Sequence, residues 1–475
     1  MDTAALSSIL LSKGTLALTI LHFATAGAVT LHALLRKRDV AATIGWIGLA
    51  WLSPLLGPVL YFGFGINRVK RRAQRLRGPS PGGPPRPMRT KRGQPGAHSL
   101  LLAVEKITGL RAEPGRVEAI YDSGDEGYPA MLAAIDAARE SIAFATFIFR
   151  TDEAGEQFIE ALIRAHERGV EVRVLIDGFG GGFLRSAAYH RLRLGGVPAA
   201  RYLHSLLPWK MPLLDLRLHK KILAIDGKVA FVGGLNIGGE NVLAGQPAEP
   251  VRDTHFRVEG PVVSQIIESF QDDWAFTTSE VISGPAWFKP VHDDHGMPSR
   301  AIESGPDQSI DQLVMVLLSA INGAKTSIRI ATPYFLPDEQ LVTALQLAAL
   351  RGVSVDLVMP AVNNHRLMGW ATRAHVRPLL KMGCRLWRSP PPFDHSKLMA
   401  VDDNWCLIGS ANWDTRSLRL NFELTVEFHD PDLSRRIGRI IEDKCSEPIT
   451  LAEIDARWGI TKVRDAAARL LMPYI

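Results

Sequence analysis

Two copies of one short pattern carry the residue types that could do chemistry in this chain. The pattern His-x-Lys-x-x-x-x-Asp occurs as His219, Lys221 and Asp226, and again as His395, Lys397 and Asp402. Fourteen residues after each His, a Gly-rich turn begins and ends in Asn, at 233–236 and at 409–412. One such pattern could arise by chance in a long chain, whereas two copies with the same downstream turn indicate one site built from two halves.

Each copy places an imidazole next to an ammonium group. In an extended strand, residues i and i+2 point to the same face, so His219 lies beside Lys221 and His395 beside Lys397. Two ammonium groups can hold the anionic oxygens of a phosphodiester and stabilise the charge of a five-coordinate phosphorus. One imidazole can attack phosphorus while the other protonates the departing alkoxide. Because the lysines supply the positive charge, we expect neither a metal ion nor another cofactor.

The acidic residue of each copy has a different position relative to the His. Asp226 and Asp402 follow their His by seven residues, an odd separation that argues against a shared strand face. Asp226-Gly227 is a hairpin turn signal, and 402–404 is comparable. We count both residues in the catalytic pattern, but we expect them to fasten the strand rather than to contact substrate.

The Gly-rich turns offer further polar groups. Asn236, Asn412 and Ser410 are candidates to bind the phosphate oxygens of a substrate through hydrogen bonds. Asn is also a common turn-forming residue, which is the alternative reading of Asn236 and Asn412.

Apolar patterns around the two copies predict alternating strands and helices. Helices are predicted at 128–138, 157–168 and 339–350, and strands at 141–149, 170–177, 327–335 and 351–358. This alternation predicts parallel pairing in an α/β sandwich. Two such halves would place the duplicated patterns near a pseudo-twofold axis.

Composition limits the class of protein. A chain of 475 residues is too long for one ordinary domain, and 55 Lys and Arg against 49 Asp and Glu give a net charge of +6. Basic charge suits an anionic partner, either nucleic acid or acidic lipid. Cys384, Cys406 and Cys445 are not in metal-ligand spacing, and we interpret them as buried or free thiols.

Two uncharged runs near the N-terminus, residues 16–35 and 40–66, are long enough to cross a bilayer. Only Lys13 precedes the first run, which favours a retained anchor over a cleaved signal peptide. The second run contains Pro54, Gly57 and Pro58, so it is either a kinked span or a re-entrant hairpin.

Flanking charge predicts the orientation of these segments. Six basic side chains lie at 68–77 and only three lie between the runs at 36–38. The excess places the rest of the chain on the cytoplasmic side of the inner membrane, behind a multi-pass anchor. We therefore divide the chain into an anchor at 1–66, a basic Pro- and Gly-rich linker at 67–100, and two α/β halves at 101–290 and 291–475.

The paired patterns resemble the signature of the phospholipase D superfamily. Within it, the chain looks most like the bacterial cardiolipin synthases, and the similarity covers nearly the whole chain. Beyond the two patterns and the apolar N-terminal segments, the segments that carry it are 251–255, 332–337, 409–417 and 421–423. The resemblance implies an α/β fold of two homologous phospholipase D-like sandwich halves.

The resemblance also implies a reaction through a phosphohistidine intermediate. An acidic residue would orient each imidazole, Asp253 serving His219 and Glu423 serving His395, although a surface or capping role is the alternative. A phosphatidyl group would pass from one phosphatidylglycerol to another, giving cardiolipin and glycerol. By the same analogy, His219 is the nucleophile and His395 acts first as the acid and then as the base.

Other functions share these residues. A phospholipase D-type hydrolase, or transfer to a different alcohol, would use the same His and Lys, and the exclusion of water decides between transfer and hydrolysis. A nuclease does not need the apolar N-terminal segments, so we predict no nucleic-acid partner. Intact His and Lys in both copies argue against a non-catalytic scaffold. The predicted partners are the membrane and anionic phosphatidylglycerol as donor and acceptor, and the oligomeric state is left open.

An apolar, Pro-rich segment precedes each copy, at 206–214 and at 386–393, and each contains a Trp beside a basic residue. Either Trp209 and Trp387 reach into the lipid interface, where an amphipathic ring is stable, or they fill the core.

Overall fold

The fold is given by a computed structural model that describes residues 3–36, 40–62, 97–182, 185–204, 216–291, 293, 295–306, 309 and 311–470. The chain divides into two compact units, residues 1–72 and residues 73–475. The first unit contains apolar helices, and the second is a mixed α/β unit that contains both copies of the pattern.

The N-terminal unit consists of α1 (Thr3–Arg36), α2 (Val40–Leu52) and α3 (Leu56–Leu60). Residues Gly14–Arg36 of α1 are long and apolar enough to cross a membrane, and α2 is a shorter apolar helix. Helix α2 ends just before Pro54, so the second run is interrupted there, as both a kinked span and a re-entrant hairpin require. A Cβ at Gly57 would lie 2.2 Å from the carbonyl oxygen of Leu49, so the close approach of α3 to α2 requires glycine. Residues 63–66 of the second run lie outside the described part.

The second unit combines a large sheet with helices. They are α4 (Ala97–Thr108), α5 (Gly124–Ala137), α6 (Glu153–Glu167), α7 (Ala187–Leu194), α8 (Val262–Thr278), α9 (Gln312–Gly323), α10 (Glu339–Leu350), α11 (Arg366–His375), α12 (Arg377–Lys381), α13 (Thr415–Arg419), α14 (Pro431–Asp443), α15 (Leu451–Asp455) and α16 (Gly459–Arg469).

The strands are numbered in the same way. They are β1 (Glu113–Tyr121), β2 (Ser141–Thr146), β3 (Glu171–Asp177), β4 (Ala199–Tyr202), β5 (Ile222–Ile225), β6 (Val229–Gly233), β7 (Val251–Arg252), β8 (His255–Glu259), β9 (Met297–Ser304), β10 (Ser327–Ala331), β11 (Phe335–Leu336), β12 (Ser354–Pro360), β13 (Arg385–Ser389), β14 (Phe393–Asp394), β15 (Leu398–Val401), β16 (Trp405–Gly409), β17 (Trp413–Asp414), β18 (Glu423–Phe428) and β19 (Glu447–Ile449).

Local sequence explains these elements, as α6 illustrates. The Asp152 side chain accepts a hydrogen bond from the Gly155 N–H at 3.0 Å and so caps the first turn. Phe158, Ile159 and Leu162 recur at helical spacing and are buried against the sheet. The helix predicted at 157–168 is therefore present, but it begins four residues earlier, at Glu153, directly after the Asp152 cap.

The large sheet has the same strand order in both halves. Outward from the centre, the first half runs β1-β8-β6-β5-β2-β3-β4 and the second runs β9-β18-β16-β15-β10-β12-β13, with β19 added at the edge. Strands β1 and β9 pair antiparallel at the centre, where Pro114 lies opposite Pro298. The duplicated patterns thus lie at equivalent positions on either side of the centre.

The predicted parallel pairing holds for only part of the sheet. Strands β2, β3 and β4 pair parallel, and so do β10, β12 and β13. The strands that follow the two patterns, β5 and β15, pair antiparallel with both neighbours. The sheet is mixed because hairpins join β5 to β6 and β15 to β16, and alternation of strands with helices does not extend to these hairpins.

Of the two interpretations of Trp387, the structure supports packing rather than contact with lipid. Trp387 lies in β13, and its indole N–H donates to Asp356 Oδ1 at 2.9 Å. A Trp whose polar atom is satisfied within the sheet is a packing residue. Trp209 lies outside the described part of the chain.

Candidate active site

The site forms where the two pattern strands begin. His219 and Lys221 lie on the extended segment before β5, and His395 and Lys397 on the segment before β15. Both imidazoles and both ammonium groups are buried or nearly so. The charge of Lys397 acts on the pKa of His219, and that of Lys221 on the pKa of His395, so the two copies share one electrostatic environment.

His219 is held by an acid from the other half of the chain. Its Nδ1 lies 2.9 Å from Glu423 Oε2. Burial lowers the pKa of His219 below its ordinary value, and the carboxylate of Glu423 opposes that shift. The imidazole is therefore neutral at neutral pH, as a nucleophile must be.

His395 is held in the same way, by an acid from the first half. Its Nδ1 lies 2.7 Å from Asp253 Oδ2, and the Lys397 ammonium lies 2.7 Å from the same ring nitrogen. Burial and the charge of Lys397 lower the pKa of His395 to about 4, while Asp253 acts to raise it.

The pairing of acids with imidazoles is thus crosswise, and the sequence-based pairing is wrong. Asp253 does not serve His219, and Glu423 does not serve His395. Both acids do contact an imidazole, as the resemblance implies.

Backbone pairing between the halves explains the exchange. The His219 N–H donates to the Phe422 carbonyl at 2.9 Å, next to Glu423. The His395 N–H donates to the Arg252 carbonyl at 2.7 Å, next to Asp253, and β14 pairs parallel with β7. Each His segment lies beside the acid segment of the opposite half, so its imidazole meets that acid.

The two acids are charged and buried. Burial alone would raise the pKa of Glu423, but its interactions with His219 and Lys221, including the hydrogen bond to His219, outweigh burial, and the pKa lies below its ordinary value. The same balance, with Lys397 and His395, lowers the pKa of Asp253. Buried carboxylates persist as anions only when cations and donors surround them, and this site supplies both.

The lysines turn towards the backbone of their own segments. Lys221 Nζ donates to the His219 carbonyl at 2.7 Å, and Lys397 Nζ donates to the His395 carbonyl and lies 3.5 Å from Asp253 Oδ2. Burial and the neighbouring charge of Lys397 lower the pKa of Lys221 to about 7, despite the opposing effect of Glu423. Burial likewise lowers the pKa of Lys397. Two buried cations at one site are ready to bind an anion.

The carboxylates of Asp226 and Asp402 bind backbone N–H groups. Asp226 accepts hydrogen bonds from the N–H groups of 139–141, with the shortest, to Glu140, at 2.7 Å. Asp402 accepts from the N–H groups of 325–327 at 2.6 to 2.9 Å. Each set of hydrogen bonds joins the turn after the pattern strand to the start of the neighbouring strand. This geometry agrees with the fastening role expected for both residues. It does not support counting them among the catalytic residues.

The turn residues differ between the halves. The Ser410 hydroxyl donates to Glu423 Oε2 at 2.6 Å, so it positions the acid that holds His219, in place of the substrate contact predicted for it. Asn236 Oδ1 accepts from the Ile148 N–H at 3.3 Å, which favours its turn-forming reading. Asn412 Oδ1 is buried and accepts no hydrogen bond within the described residues. Because an amide oxygen cannot donate to a phosphate oxygen, the substrate contact of Asn412 stays a prediction, and it concerns the amide N–H group.

Gly234 is the counterpart of Ser410, and it shows why the halves use different acids. A Cβ at Gly234 would lie 2.1 Å from Asp253 Oδ1. Aspartate is one methylene shorter than glutamate, and its carboxylate occupies the space that a side chain at 234 would fill. Glu423 reaches further and leaves room for the Ser410 hydroxyl. The two copies are therefore similar in plan and unequal in detail.

Two positioning residues escaped sequence reasoning. Asp177 Oδ2 accepts from the Leu218 N–H at 2.8 Å and fixes the segment that carries His219. Asn421 Nδ2 donates to Glu423 Oε1 at 3.1 Å. The sequence does contain a signal for each of them. Asp177 is an acid at the end of a buried strand, and Asn421 is a polar residue two positions before Glu423. Within the described residues, no group of His, Cys, Asp and Glu is arranged to hold a metal ion.

Comparisons with known proteins show the family to which the chain is similar. The family described as cardiolipin synthase, PLD-like domain, matches residues 131–274 and 317–444. A cardiolipin synthase of Geobacillus thermodenitrificans is 31% identical over 458 residues, which are 93% of this chain and 90% of that protein. Cardiolipin synthase A of Pseudomonas putida KT2440 is 31% identical over 464 residues, 94% of this chain and 95% of that protein.

A solved structure shows the same fold. The phosphatidylserine synthase of Haemophilus influenzae Rd KW20 superposes with a TM-score of 0.60 at 14% identity, covering 79% of this chain and 100% of that chain. At this identity the likeness concerns the fold alone.

We expect Asp402→Ala to reduce the free energy of unfolding by about 2 kcal/mol, because three backbone N–H groups lose a charged acceptor. Asp403→Ala is the matched control, since both positions have positive φ, 52° and 51°, and Asp403 is half exposed in a surface ion pair with Arg329. Urea unfolding of the full chain in detergent measures both. Folded Asp402→Ala protein should keep its turnover, and selective loss of turnover would make Asp402 a catalytic residue.

The contribution of Asp402 to stability should depend on pH. Partial burial acts to raise its pKa, but the N–H groups of 325–327 outweigh burial and hold the pKa below its ordinary value. The contribution is therefore present above the unfolded-state pKa and is lost as pH falls through the folded-state pKa.

The lowered pKa of Lys221 predicts the alkaline limit of turnover. Only the ammonium form binds an anionic phosphodiester, and it is lost as pH rises through about 7. We expect kcat/KM to fall over that range and kcat to fall less, because bound anion restores the proton. Lys221→Arg should move the decline to higher pH, since arginine stays charged. A kcat/KM that is flat through pH 7 would contradict this assignment.

Proposed function

Because the chain belongs to the cardiolipin synthase family with phospholipase D-like domains, and is thus a phosphatidyltransferase, we propose that it joins two phosphatidylglycerol molecules into cardiolipin and glycerol. The observation that carries the proposal is the crosswise pairing of two buried imidazoles with Glu423 and Asp253. With Nδ1 of each imidazole held by a carboxylate, Nε2 is the ring nitrogen left to react.

The first half of the proposed reaction is an attack on phosphorus. Neutral His219 bonds to the phosphorus of one phosphatidylglycerol through Nε2, and the P–O bond to the headgroup glycerol breaks. The departing alkoxide takes a proton from the imidazolium form of His395, which the anionic substrate stabilises after it binds. The product is a phosphatidyl group on His219 and free glycerol.

The second half reverses these roles. His395 takes a proton from the terminal hydroxyl of a second phosphatidylglycerol, and that oxygen bonds to phosphorus while the P–N bond to His219 breaks. One phosphodiester has been exchanged for another, so the reaction needs no nucleotide. The order of the two histidines follows the family resemblance.

The two lysines complete the proposed site. Lys221 and Lys397 would hold the non-bridging phosphate oxygens and stabilise the negative charge that grows on them in the transition state. Asn412, whose Oδ1 and side chain are buried near Lys397, would bind the same region through its amide N–H group. In this way the protein supplies by side chains the charge stabilisation that a phosphoryl-transfer enzyme needs.

We further propose that the chain acts at the inner membrane with its catalytic unit on the cytoplasmic side. An apolar helix long enough to span the bilayer at Gly14–Arg36 supports the membrane location. The six basic side chains at 68–77 support the orientation. In this multi-pass proposal the second apolar run, residues 40–66, is a further membrane segment, either a kinked span or a re-entrant hairpin.

Incubation of the purified full chain with phosphatidylglycerol labelled in its phosphate should give cardiolipin and glycerol in equal amounts. Acid-labile label should appear on the protein during turnover. His219→Ala and His395→Ala should each abolish turnover, whereas His190→Ala, an exposed residue of α7, should not. In sealed inside-out membrane vesicles, added protease should remove the activity.

Each alternative has its own outcome in this experiment. Phosphatidic acid as the sole phospholipid product would show that the enzyme hydrolyses phosphatidylglycerol and does not transfer its phosphatidyl group. Turnover of phosphatidylglycerol only when another alcohol is added would show that this alcohol, and not a second phosphatidylglycerol, is the acceptor. Substantial turnover of either His→Ala variant would contradict a single shared site, and survival of activity in protease-treated inside-out vesicles would contradict the orientation.

A further inference from the structure

Helix α16 exposes an apolar stripe to solvent. Ile460, Val463, Ala467 and Leu470 recur at helical spacing, and all of them are exposed. Ile460 and Val463 are 78% and 70% exposed, and Trp458 just before the helix is 80% exposed. Large apolar side chains scattered singly on a surface need no explanation, but a continuous stripe along one helix face is typical of a surface that meets an apolar partner.

The opposite face of α16 is polar and buried. Asp465 is 1% exposed, lies 2.8 Å from Arg464 and 3.7 Å from Arg373, and forms an ion pair with Arg457. The Arg464 guanidinium lies 4.3 Å from the centre of the Trp370 ring. These contacts fix the rotation of the helix about its axis. An ordinary surface helix buries its apolar face and exposes its polar face, so the amphipathicity of α16 is reversed.

Charge near the stripe is positive. Lys462 and Arg469 flank it on the exposed side of the helix. The acids of this region pair with arginines, Asp455 with Arg377 and Asp465 in its buried ion pairs, and the Lys462 ammonium donates to the Asp455 carbonyl at 2.7 Å. A helix with an apolar stripe, flanking cations and a Trp at its end has the composition of helices that lie in the plane of a membrane interface.

We propose that α16 lies in the interface of a bilayer that contains anionic phospholipid. Its apolar stripe inserts among the acyl chains, and Lys462 and Arg469 lie level with the negative headgroups. A second protein or a second copy of the chain would also cover an apolar stripe. The flanking cations favour the lipid, because they complement anionic headgroups.

This contact would bring the bilayer close to the wall of the active site. Ala468, on the buried face of α16, packs in one cluster with Tyr334, Leu336 and Met368. The Tyr334 ring stands edge-on to the His395 imidazole, with 6.0 Å between ring centres. Lipid seated on the stripe would thus be separated from His395 by α16 itself and by this cluster of side chains. The inference concerns a lipid contact and does not depend on the chemistry proposed for the site.

A fluorescent probe tests the contact in the full chain. An NBD group is attached to Val463→Cys, and to Glu160→Cys on the exposed face of α6 as the matched control, both in a Cys445→Ser background. The protein is placed in nanodiscs of phosphatidylglycerol and phosphatidylcholine with bromine atoms on the acyl chains. We expect a blue shift and quenching for the probe at 463 and neither for the probe at 160.

The outcomes separate lipid from protein partners. A probe at 463 that is shielded from water but not quenched by brominated lipid would show a protein partner and overturn the proposal. Equal behaviour of both probes would overturn it as well. Neither result requires turnover, so failure here is distinct from failure of the proposed function.

A second variant tests the consequence for activity. Ile460→Ser with Val463→Ser should lower turnover of phosphatidylglycerol in bilayers several-fold and leave turnover of short-chain, monomerically dispersed phosphatidylglycerol unchanged. An equal effect on both substrates, or no effect on either, would contradict a membrane contact at α16.

Discussion

The carboxylates of Glu423 and Asp253, each bonded to an imidazole of the opposite half, are the contacts on which the rest of the site depends. Neither half orients its own imidazole. The segments before β5 and β15 exchange backbone hydrogen bonds with the acid segments of the other half, and the central β1·β9 pair holds the halves in register. Duplication therefore gives the chain one site that neither half contains alone.

Burial then sets the chemistry of this site. Two imidazoles, two ammonium groups and two carboxylates are removed from water together, and the ammonium groups and carboxylates compensate each other's charge. The imidazoles remain neutral and Lys221 holds its proton only weakly, so a bound phosphate anion would strengthen the hold of Lys221 on that proton. The inequality of the halves, Gly234 with Asp253 and Ser410 with Glu423, gives the two histidines different surroundings and a basis for different roles.

Much of this arrangement is predictable from the sequence, and the remainder has identifiable causes. The duplicated pattern, the Asp226 and Asp402 turns and the helix Glu339–Leu350 follow from local spacing and propensity. The crosswise pairing does not, because it depends on strand contacts between residues far apart in the chain. The sequence leaves two interpretations of Trp387 open because it does not show that Asp356 on the next strand satisfies its N–H. The apolar face of α16 points outwards because of its ion pairs with Arg373 and Arg457, which no helical periodicity reveals.

Nitrogen-15 NMR of the histidine side chains tests the crosswise pairing most directly. Imidazole signals of the full chain, assigned through His219→Gln and His395→Gln, report which ring nitrogen carries the proton. Glu423→Ala should release the tautomer of His219 and leave His395 unchanged, and Asp253→Ala should do the reverse. A response of His395 to Glu423→Ala, with His219 unchanged, would show that each half orients its own imidazole and would contradict the composite site.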